Sequence, residues 1–280
     1  TLPAALLYVF FFIIPTLSGF FYSMTDWNGM VSNPVFVGFD NFIKMFRDNR
    51  LVNAARFNLY YVVLLTILVN SIALLLAVLL NSRMQQGIRT LFRSIFFFPA
   101  VLSLITVGLI WNEIFYRFLP VIGKALHIGF LSQNILSSPH TAILGILTVS
   151  TWQEVAIPMV LLLAGLQSIP KDVVEAGVID GANAWQRFWK ITIPYLIPVL
   201  NMTFIITVRA GLTVFDYIMA LTNGGPARAT ESIGLMIYIH GIRDMKYGYA
   251  MAESVVLTTL IAFVSILQVK ITRKFEVGQQ

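Results

Sequence analysis

Five ionisable residues lie inside or beside long apolar stretches of the chain: Glu113, Glu154, Arg209, Asp216 and Glu253. A charged side chain at the centre of a lipid bilayer costs about 2.5–3.5 kcal/mol on insertion scales, so it needs a function or a compensating partner. Glu113 and Glu253 are close to the ends of their stretches, and we expect them to reach headgroups or water. The chemistry is therefore expected at the other three.

These three residues have neighbours that suit a polar solute. Trp152 and Gln153 directly precede Glu154, and Arg209 and Asp216 are seven residues apart, which places them on one face of a continuous helix. Carboxylates and an amide could bind hydroxyl groups, while an aromatic ring packs on C–H faces, in a cavity within the membrane. The same residues could instead form an internal ion-pair network, with Arg209 compensating Asp216 or Glu154. The residues alone leave both interpretations open.

The composition is that of a polytopic membrane protein. Of 280 residues, 58% are hydrophobic and 11% are charged, and the mean hydropathy is +0.80. Soluble domains carry roughly 25% charged residues. The chain has no cysteine, which excludes disulfides, thiolate metal sites and cysteine nucleophiles. His127, His140 and His240 lack the spacing of metal ligands, and we expect them in loops or at the membrane interface.

The apolar stretches are long enough to cross a bilayer, which takes about 20 residues per helix. We predict an all-α protein with one transmembrane domain, residues 1–280. Its six membrane-spanning helices are expected at residues 3–25, 59–80, 95–114, 141–165, 195–221 and 250–270. Pro99 and Pro158 fall within these stretches, where neighbouring helices can bind the backbone groups that a proline frees.

A polar, charged segment, residues 166–194, separates the fourth and fifth apolar stretches. Pro170 suits the first position of a helix. Gly181 can adopt the positive φ that ends a helix. Trp185, Phe188 and Trp189 recur at i, i+3 and i+4 and form one apolar stripe. The pattern predicts two short helices joined by a turn. On physical grounds alone, the segment could also lie on the lipid headgroups as an amphipathic hairpin.

This segment resembles the EAA loop of permeases from binding-protein-dependent ABC importers. The matching positions are Glu175, Ala176, Gly177, Asp180, Gly181, Ile191 and Pro194. Gly177 stands where the family usually has alanine. The resemblance extends to residues 37–42, to Asn58, and to the Leu221–Pro226 and Gly248–Ala252 stretches, although Leu59 replaces the usual threonine. It is closest to the sugar-importer branch that includes the maltose and glycerol-phosphate permeases.

The resemblance implies a non-catalytic permease that works by alternating access. Its partners would be a second homologous permease, two ATPase subunits and an extracytoplasmic sugar-binding protein. ATP and Mg²⁺ would bind to the ATPase subunits, because this chain has no phosphate-binding glycine-rich loop. We expect contact with membrane lipid and no cofactor, metal or nucleic acid in this chain. In the maltose permease the fourth and fifth spans line the sugar site, which assigns Trp152, Gln153, Glu154, Arg209 and Asp216 to the substrate pathway. An ion-gradient-driven secondary transporter is the alternative, with buried carboxylates as ion sites.

The orientation rests on loop pattern, because lysines and arginines divide evenly between the two sides. The short 81–94 loop and the C-terminal end are basic, with almost no acidic residues. We therefore predict that both termini and residues 81–94 and 166–194 are cytoplasmic, in the inner membrane of a prokaryote. Residues 26–58, 115–140 and 222–249 are expected outside, with a short interfacial helix in the first of these loops. Because Thr1 directly precedes an apolar stretch, we also expect a cytoplasmic tail before it.

Overall fold

The computed structural model describes residues 2–82 and 85–272, and most of this part of the chain is helical. Its one extended pairing is an antiparallel bridge between Thr25 and Phe36. In chain order its main helices are α1 (Leu2–Tyr22), α2 (Asp40–Arg47), α3 (Asn49–Asn81), α4 (Gln86–Phe97), α5 (Leu104–Ala125), α6 (Pro139–Glu154), α7 (Ala156–Gln167), α8 (Lys171–Ile179), α9 (Ala184–Leu212), α10 (Asp216–Leu221), α11 (Ile233–Arg243) and α12 (Tyr247–Thr272).

Five of these helices, α1, α3, α5, α9 and α12, are long and apolar enough to cross a membrane. A sixth span results if α6 and α7, which meet at a 43° bend, count as one. The all-helical class is thus confirmed, whereas six spans stays a prediction. Short α2 lies in the 26–58 loop, where we expected a helix.

The centre of the fold is α3, which contacts α6, α7 and α9. Its buried positions recur every three or four residues, as a helix with one core-facing stripe requires. Ala73 and Ala77 are fully buried and let α7 approach closely, and Gly211 of α9 lies directly against Val62. By contrast, no residue of α1 is buried in the single chain.

The third predicted span, 95–114, does not match the structure. Helix α4 ends at Phe97, a 3₁₀ turn follows at Phe98–Val101, and α5 runs from Leu104 to Ala125. Pro99 lacks an N–H and cannot continue the helical hydrogen bonds. The side chain of Gln153 binds the carbonyls of Pro99 and Leu102. The break is therefore stabilised by a neighbouring helix, and the apolar helix begins about nine residues later than predicted.

The fifth predicted span, 195–221, is also corrected at both ends. Helix α9 begins at Ala184, because Asn183 and Gln186 form a capping box there. A wider π turn at Phe188–Thr192 precedes Pro194, so the helix passes through this proline without ending. Helix α9 stops at Leu212, and α10 begins separately at Asp216. Arg209 and Asp216 therefore lie on different helices, not on one helical face.

Glu113 and Glu253 are both expected near the ends of membrane spans. Glu113 is more than half exposed and pairs with Arg117 at 2.9 Å, but it lies near the middle of α5 rather than at an end. Glu253 is fully buried, and its Oε1 lies 2.7 Å from Nδ1 of His240, which is buried as well. The expected interfacial positions of Glu253 and His240 are therefore wrong. Arg83, Arg273 and Lys274, which enter the orientation argument, lie outside the described residues.

Candidate functional site

A cavity of about 380 Å³ opens where three interruptions of helices meet. These are the α4–α5 break, the bend between α6 and α7, and the α9–α10 break. Helix ends leave backbone polar groups without helical partners, and inside a membrane such groups are tolerated where they are buried in protein or line a water-filled cavity. The lining residues are Tyr61, Leu65, Leu104, Glu154, Ile205, Ile206, Arg209, Ala210, Thr213, Val214, Phe215, Asp216 and Tyr217.

All three charged candidates line this cavity, although they come from α6, α9 and α10. Glu154 and Asp216 are partly buried, and Arg209 is exposed to the cavity. Across residues 2–82 and 85–272, none of the three forms a salt bridge within 4.0 Å. The observed arrangement is thus an open set of two carboxylates and one guanidinium, rather than a closed ion-pair network.

Tyr217 joins two of the predicted residues through its hydroxyl group. The hydroxyl oxygen lies 3.1 Å from Oε1 of Gln153 and 3.4 Å from Oε1 of Glu154. The amide nitrogen of Gln153 donates to the carbonyls of Pro99 at 3.1 Å and Leu102 at 2.9 Å. Gln153 is therefore buried in the wall behind the cavity, and its amide supports the α4–α5 break.

Trp152 lies on a different side of α6. It lines a separate, largely apolar cavity of about 570 Å³ between α3, α4 and α6, and its ring meets Trp111 edge-on at 5.7 Å. Consecutive helical residues point about 100° apart, so Trp152 and Glu154 cannot share one direction. The structure thus brings Glu154, Arg209 and Asp216 together and leaves Trp152 outside this group. Whether any of them contacts substrate stays a prediction.

Sequence reasoning missed the aromatic part of the cavity. Tyr61, Phe215 and Tyr217 line it beside the charged residues. A signal existed for two of them, because Phe215 and Tyr217 flank Asp216 in the chain. For Tyr61 the signal was weaker: it lies one turn after Asn58, on the face of α3 that the structure buries.

The 166–194 segment contains two helical arms, α8 and the first turns of α9, joined by a turn. Gly181 has φ +76° at this turn, a conformation that favours glycine. A Cβ at Gly177 would lie 2.7 Å from Cδ1 of Ile191, so the small residue lets the arms pack together. The guanidinium of Arg187 donates to the carbonyl of Ala182 and fixes the turn. The predicted turn thus has a structural basis, and the structure adds the contact between Gly177 and Ile191.

The outer surface of this segment is apolar although the segment is rich in charge. Ile179 is 85% exposed and Trp185 69% exposed, and Val178 and Trp189 are also more than half exposed. Glu175 and Asp180 are exposed beside them. Large apolar side chains grouped on an exposed segment indicate a surface that binds another molecule.

Comparisons with known proteins agree with these features. The family described as "Binding-protein-dependent transport system inner membrane component" matches residues 70–277. The multiple sugar-binding transport system permease protein MsmF of Streptococcus mutans is 44% identical, over 97% of this chain and 93% of that protein. The probable starch degradation products transport system permease protein AmyD of Thermoanaerobacterium thermosulfurigenes is 34% identical, over 98% of this chain and 93% of that protein.

The fold also matches a solved structure. A chain from the bacterial alginate ABC transporter, crystallised in complex with alginate pentasaccharide-bound periplasmic protein, superposes with a TM-score of 0.83 and 21% identity. The match covers 99% of this chain and 93% of that chain. The chain therefore belongs to the family of inner-membrane components of binding-protein-dependent transport systems, and it is a permease subunit of an ABC importer.

Proposed function

We propose that this permease imports a sugar or oligosaccharide by alternating access and performs no catalysis itself. ATP and Mg²⁺ bind to two separate ATPase subunits, and a second homologous permease completes the membrane path. An extracytoplasmic binding protein delivers the sugar, in the way that the alginate transporter forms a complex with a pentasaccharide-bound periplasmic protein. The observation that carries the proposal is the pairing of a charged, aromatic cavity with an exposed apolar docking segment in one chain.

The cavity suits a neutral saccharide. Tyr61, Phe215 and Tyr217 offer rings for C–H faces, and Glu154 and Asp216 accept hydrogens from hydroxyl groups. Arg209 can donate to ring and hydroxyl oxygens. Two carboxylates and one guanidinium leave a formal charge of −1 when all are ionised, so an acidic sugar would meet repulsion as well as attraction. Trp152 and Gln153 act from behind this site through the packing of α6.

The 166–194 segment transmits movement from the ATPase. Glu175 and Ala176 of α8, with Asp180 directly after this helix, lie on the face that contacts the ATPase. Gly177 and Ile191 keep the two arms of the segment together, and Gly181 forms the turn between the arms. Pro194 lies where the second arm continues into α9. Because α9 also carries Arg209, a force on the segment reaches the cavity through one continuous helix. The exposed side chains of Val178, Ile179 and Trp185 provide the contact surface.

The central experiment is uptake by the full complex in vesicles, with ATP supplied on the ATPase side. Maltotriose, sucrose and an alginate trisaccharide serve as probes, the last to test acidic sugars. Glu154→Ala and Asp216→Ala should each reduce uptake of a neutral probe by about tenfold or more, the effect of one lost hydrogen bond to a charged group. Complex assembly and basal ATPase activity should persist. Normal uptake in both variants would overturn the assignment of the cavity. If none of the probes is imported, the carbohydrate assignment fails.

The docking surface has its own test. Ile179→Asp should release the ATPase subunits on purification, because it places a charge at the centre of an apolar contact. Met30→Asp is the matched control, since Met30 is similarly exposed, at 76%, in the loop predicted to lie outside. Equal ATPase recovery with both variants would contradict the docking role.

Orientation is tested by labelling, because the chain has no cysteine of its own. We place both termini and residues 166–194 in the cytoplasm. A single cysteine at Asn183 should react with an impermeant reagent only in inverted vesicles. Labelling from outside intact cells would reverse the topology.

The alternative function is a secondary transporter driven by an ion gradient. It would use the carboxylates of Glu154 and Asp216, which form no salt bridge among the described residues, as ion sites. Such a transporter would lose uptake when a proton or sodium ionophore collapses the gradient. An ATP-driven importer in ATP-loaded vesicles should keep its uptake when the gradient collapses. Loss of uptake with the ionophore at constant ATP would favour the alternative.

A further inference from the structure

The hydroxyl group of Tyr217 stands between the cavity and the α4–α5 break. It has one hydrogen and two acceptors in reach, Oε1 of Gln153 at 3.1 Å and Oε1 of Glu154 at 3.4 Å. A hydroxyl hydrogen makes one good hydrogen bond at a time. The distances make Gln153 the closer acceptor. Glu154 is a weaker, competing one.

Gln153 has no freedom to adjust its amide group. Its nitrogen donates both hydrogens, to the carbonyls of Pro99 and Leu102, and its oxygen accepts from Tyr217. The residue is 5% exposed, so water cannot replace a lost partner easily. A change in the hydrogen bond between Tyr217 and Gln153 therefore alters the hydrogen bonds that Gln153 donates to the carbonyls of Pro99 and Leu102. These carbonyls lie in the α4–α5 break, where the regular α-helical hydrogen bonds are interrupted.

Glu154 connects this chain of hydrogen bonds to the cavity. Its carboxylate lines the cavity beside Tyr217, whereas Gln153 is buried behind it. A solute hydroxyl that donates to Glu154 occupies lone pairs that otherwise compete for the Tyr217 hydrogen. Tyr217 is then committed to Gln153, and the amide–carbonyl bonds at the break are polarised and strengthened.

We infer that Tyr217 and Gln153 are positioning residues that couple occupation of Glu154 to the conformation of the break at residues 98–103. This inference rests on the proposed function, because it takes the cavity to be the sugar site. It adds the route by which bound sugar is sensed. This chain of hydrogen bonds links three interruptions: Gln153 lies in the last turn of α6, Tyr217 in the first turn of α10, and Pro99 and Leu102 between α4 and α5.

Coupling of this kind requires that sugar binding and the state of the break change each other's free energy by the same amount. One neutral hydrogen bond contributes about 0.5–1.5 kcal/mol, which corresponds to a factor of about 2–12 in an equilibrium constant. We therefore expect sugar to shift the conformational equilibrium of the break by a factor in this range. Removal of the hydroxyl group should abolish the shift without unfolding the protein.

The experiment places a nitroxide spin label at Ser103→Cys, in a complex whose other subunits are free of cysteine. Ser103 is exposed and makes no side-chain hydrogen bond among the described residues, so the label should not disturb the break. The probe sugar is the one of maltotriose, sucrose and alginate trisaccharide that the unlabelled complex imports fastest, at saturation. In the parent complex, sugar should change the ratio of mobile to immobile label about 2- to 12-fold.

In Tyr217→Phe the ratio should no longer respond to sugar, while the complex still assembles. Tyr238→Phe is the matched control: Tyr238 packs on Phe215 at 5.4 Å and its hydroxyl has no hydrogen bond among the described residues. It should respond like the parent. Gln153→Leu combined with Tyr217→Phe should lower sugar affinity no further than Gln153→Leu alone, because both changes break the same link.

A sugar response that persists in Tyr217→Phe overturns the inference, as does a parent complex that shows none. Failure of the proposed function looks different. If Glu154→Ala imports the probe normally and keeps the label response, the sugar does not bind at Glu154, and both ideas fall. If Glu154→Ala loses uptake but Tyr217→Phe retains the response, only the coupling route is wrong.

Discussion

Replacing Asn58 by alanine should destabilise the permease strongly, because this one side chain joins three helices. Its amide nitrogen donates to the carbonyls of Gly211 and Leu212, both at 3.1 Å, at the C-terminal end of α9. Its oxygen accepts from the backbone N–H of Ile233 at 2.7 Å, at the start of α11. Asn58 itself is 1% exposed, so none of these groups can turn to water after the change.

The magnitude follows from the number of bonds. Three buried hydrogen bonds at about 1 kcal/mol each give a loss of about 3 kcal/mol in the free energy of unfolding. Asn58→Asp should cost more than this, although its shape is nearly the same. A carboxylate can still accept from Ile233, but it cannot donate to the two carbonyls, and it faces them with a negative charge. The order of stability is therefore expected to be wild type, then alanine, then aspartate.

The assay is the thermal unfolding midpoint of the purified complex, followed by size-exclusion chromatography before and after heating. Asn53→Ala is the control, because Asn53 lies on the same helix but is exposed. The control should unfold at the wild-type temperature. The reasoning is refuted if Asn58→Ala unfolds at the same temperature as Asn53→Ala, or if Asn58→Asp is the more stable of the two Asn58 variants.

Variants at two other polar pairs test the same reasoning, one pair partly buried and one fully buried. Arg50 binds Glu231 through two hydrogen bonds of 2.5 and 2.8 Å, so Glu231→Gln should lower stability by about 1.5–3 kcal/mol; an unchanged melting midpoint would refute this. Glu253 has His240 as its only hydrogen-bond partner among the described residues, so His240→Ala should lower the midpoint more than Glu253→Gln. The double variant should lose less than the sum of the two, and additive losses would show that the residues act independently.

The predicted spans were most accurate where composition alone determines the helix. The first and last predicted spans, 3–25 and 250–270, correspond closely to α1 and α12. A long uninterrupted apolar stretch must form its backbone hydrogen bonds within itself in a bilayer, so its length and composition suffice to place it. The turn of the 166–194 segment was predictable for a similar local reason, because Gly181 has the conformation that its residue type favours.

The breaks were not predictable, because distant residues determine where a helix stops. Pro99 indicated an interruption, but the carbonyls that the interruption frees are bound by Gln153, more than 50 residues away in the chain. The end of α9 depends on Asn58, about 150 residues away. No local pattern contains such a pair, so a continuous span was the natural prediction for residues 195–221.

The charged residues show the same limit. Their type and their apolar surroundings were enough to select Glu154, Arg209 and Asp216, which do line one cavity. The arrangement of these residues relative to one another was not predictable. The seven-residue spacing of Arg209 and Asp216 implied one helix, which the structure interrupts at residues 213–215. Glu253 was misplaced because its partner His240 belongs to the preceding helix, and sequence separation does not reveal that the two side chains face each other.

Two groups of polar side chains in the described part of this protein have different tasks. At three helix ends the group that binds the freed carbonyls is a neutral carboxamide: Asn58 at the end of α9, Asn112 at the end of α10 and Gln153 at the α4–α5 break. A carboxamide nitrogen has two hydrogens and can serve two carbonyls without bringing a charge into a low-dielectric interior. Glu154, Arg209 and Asp216, which form no salt bridge among the described residues, instead line the cavity, where a hydrated solute can reach them. Neutral carboxamides therefore stabilise the helix breaks. The charged residues of the cavity are not used for that purpose and can bind the transported solute.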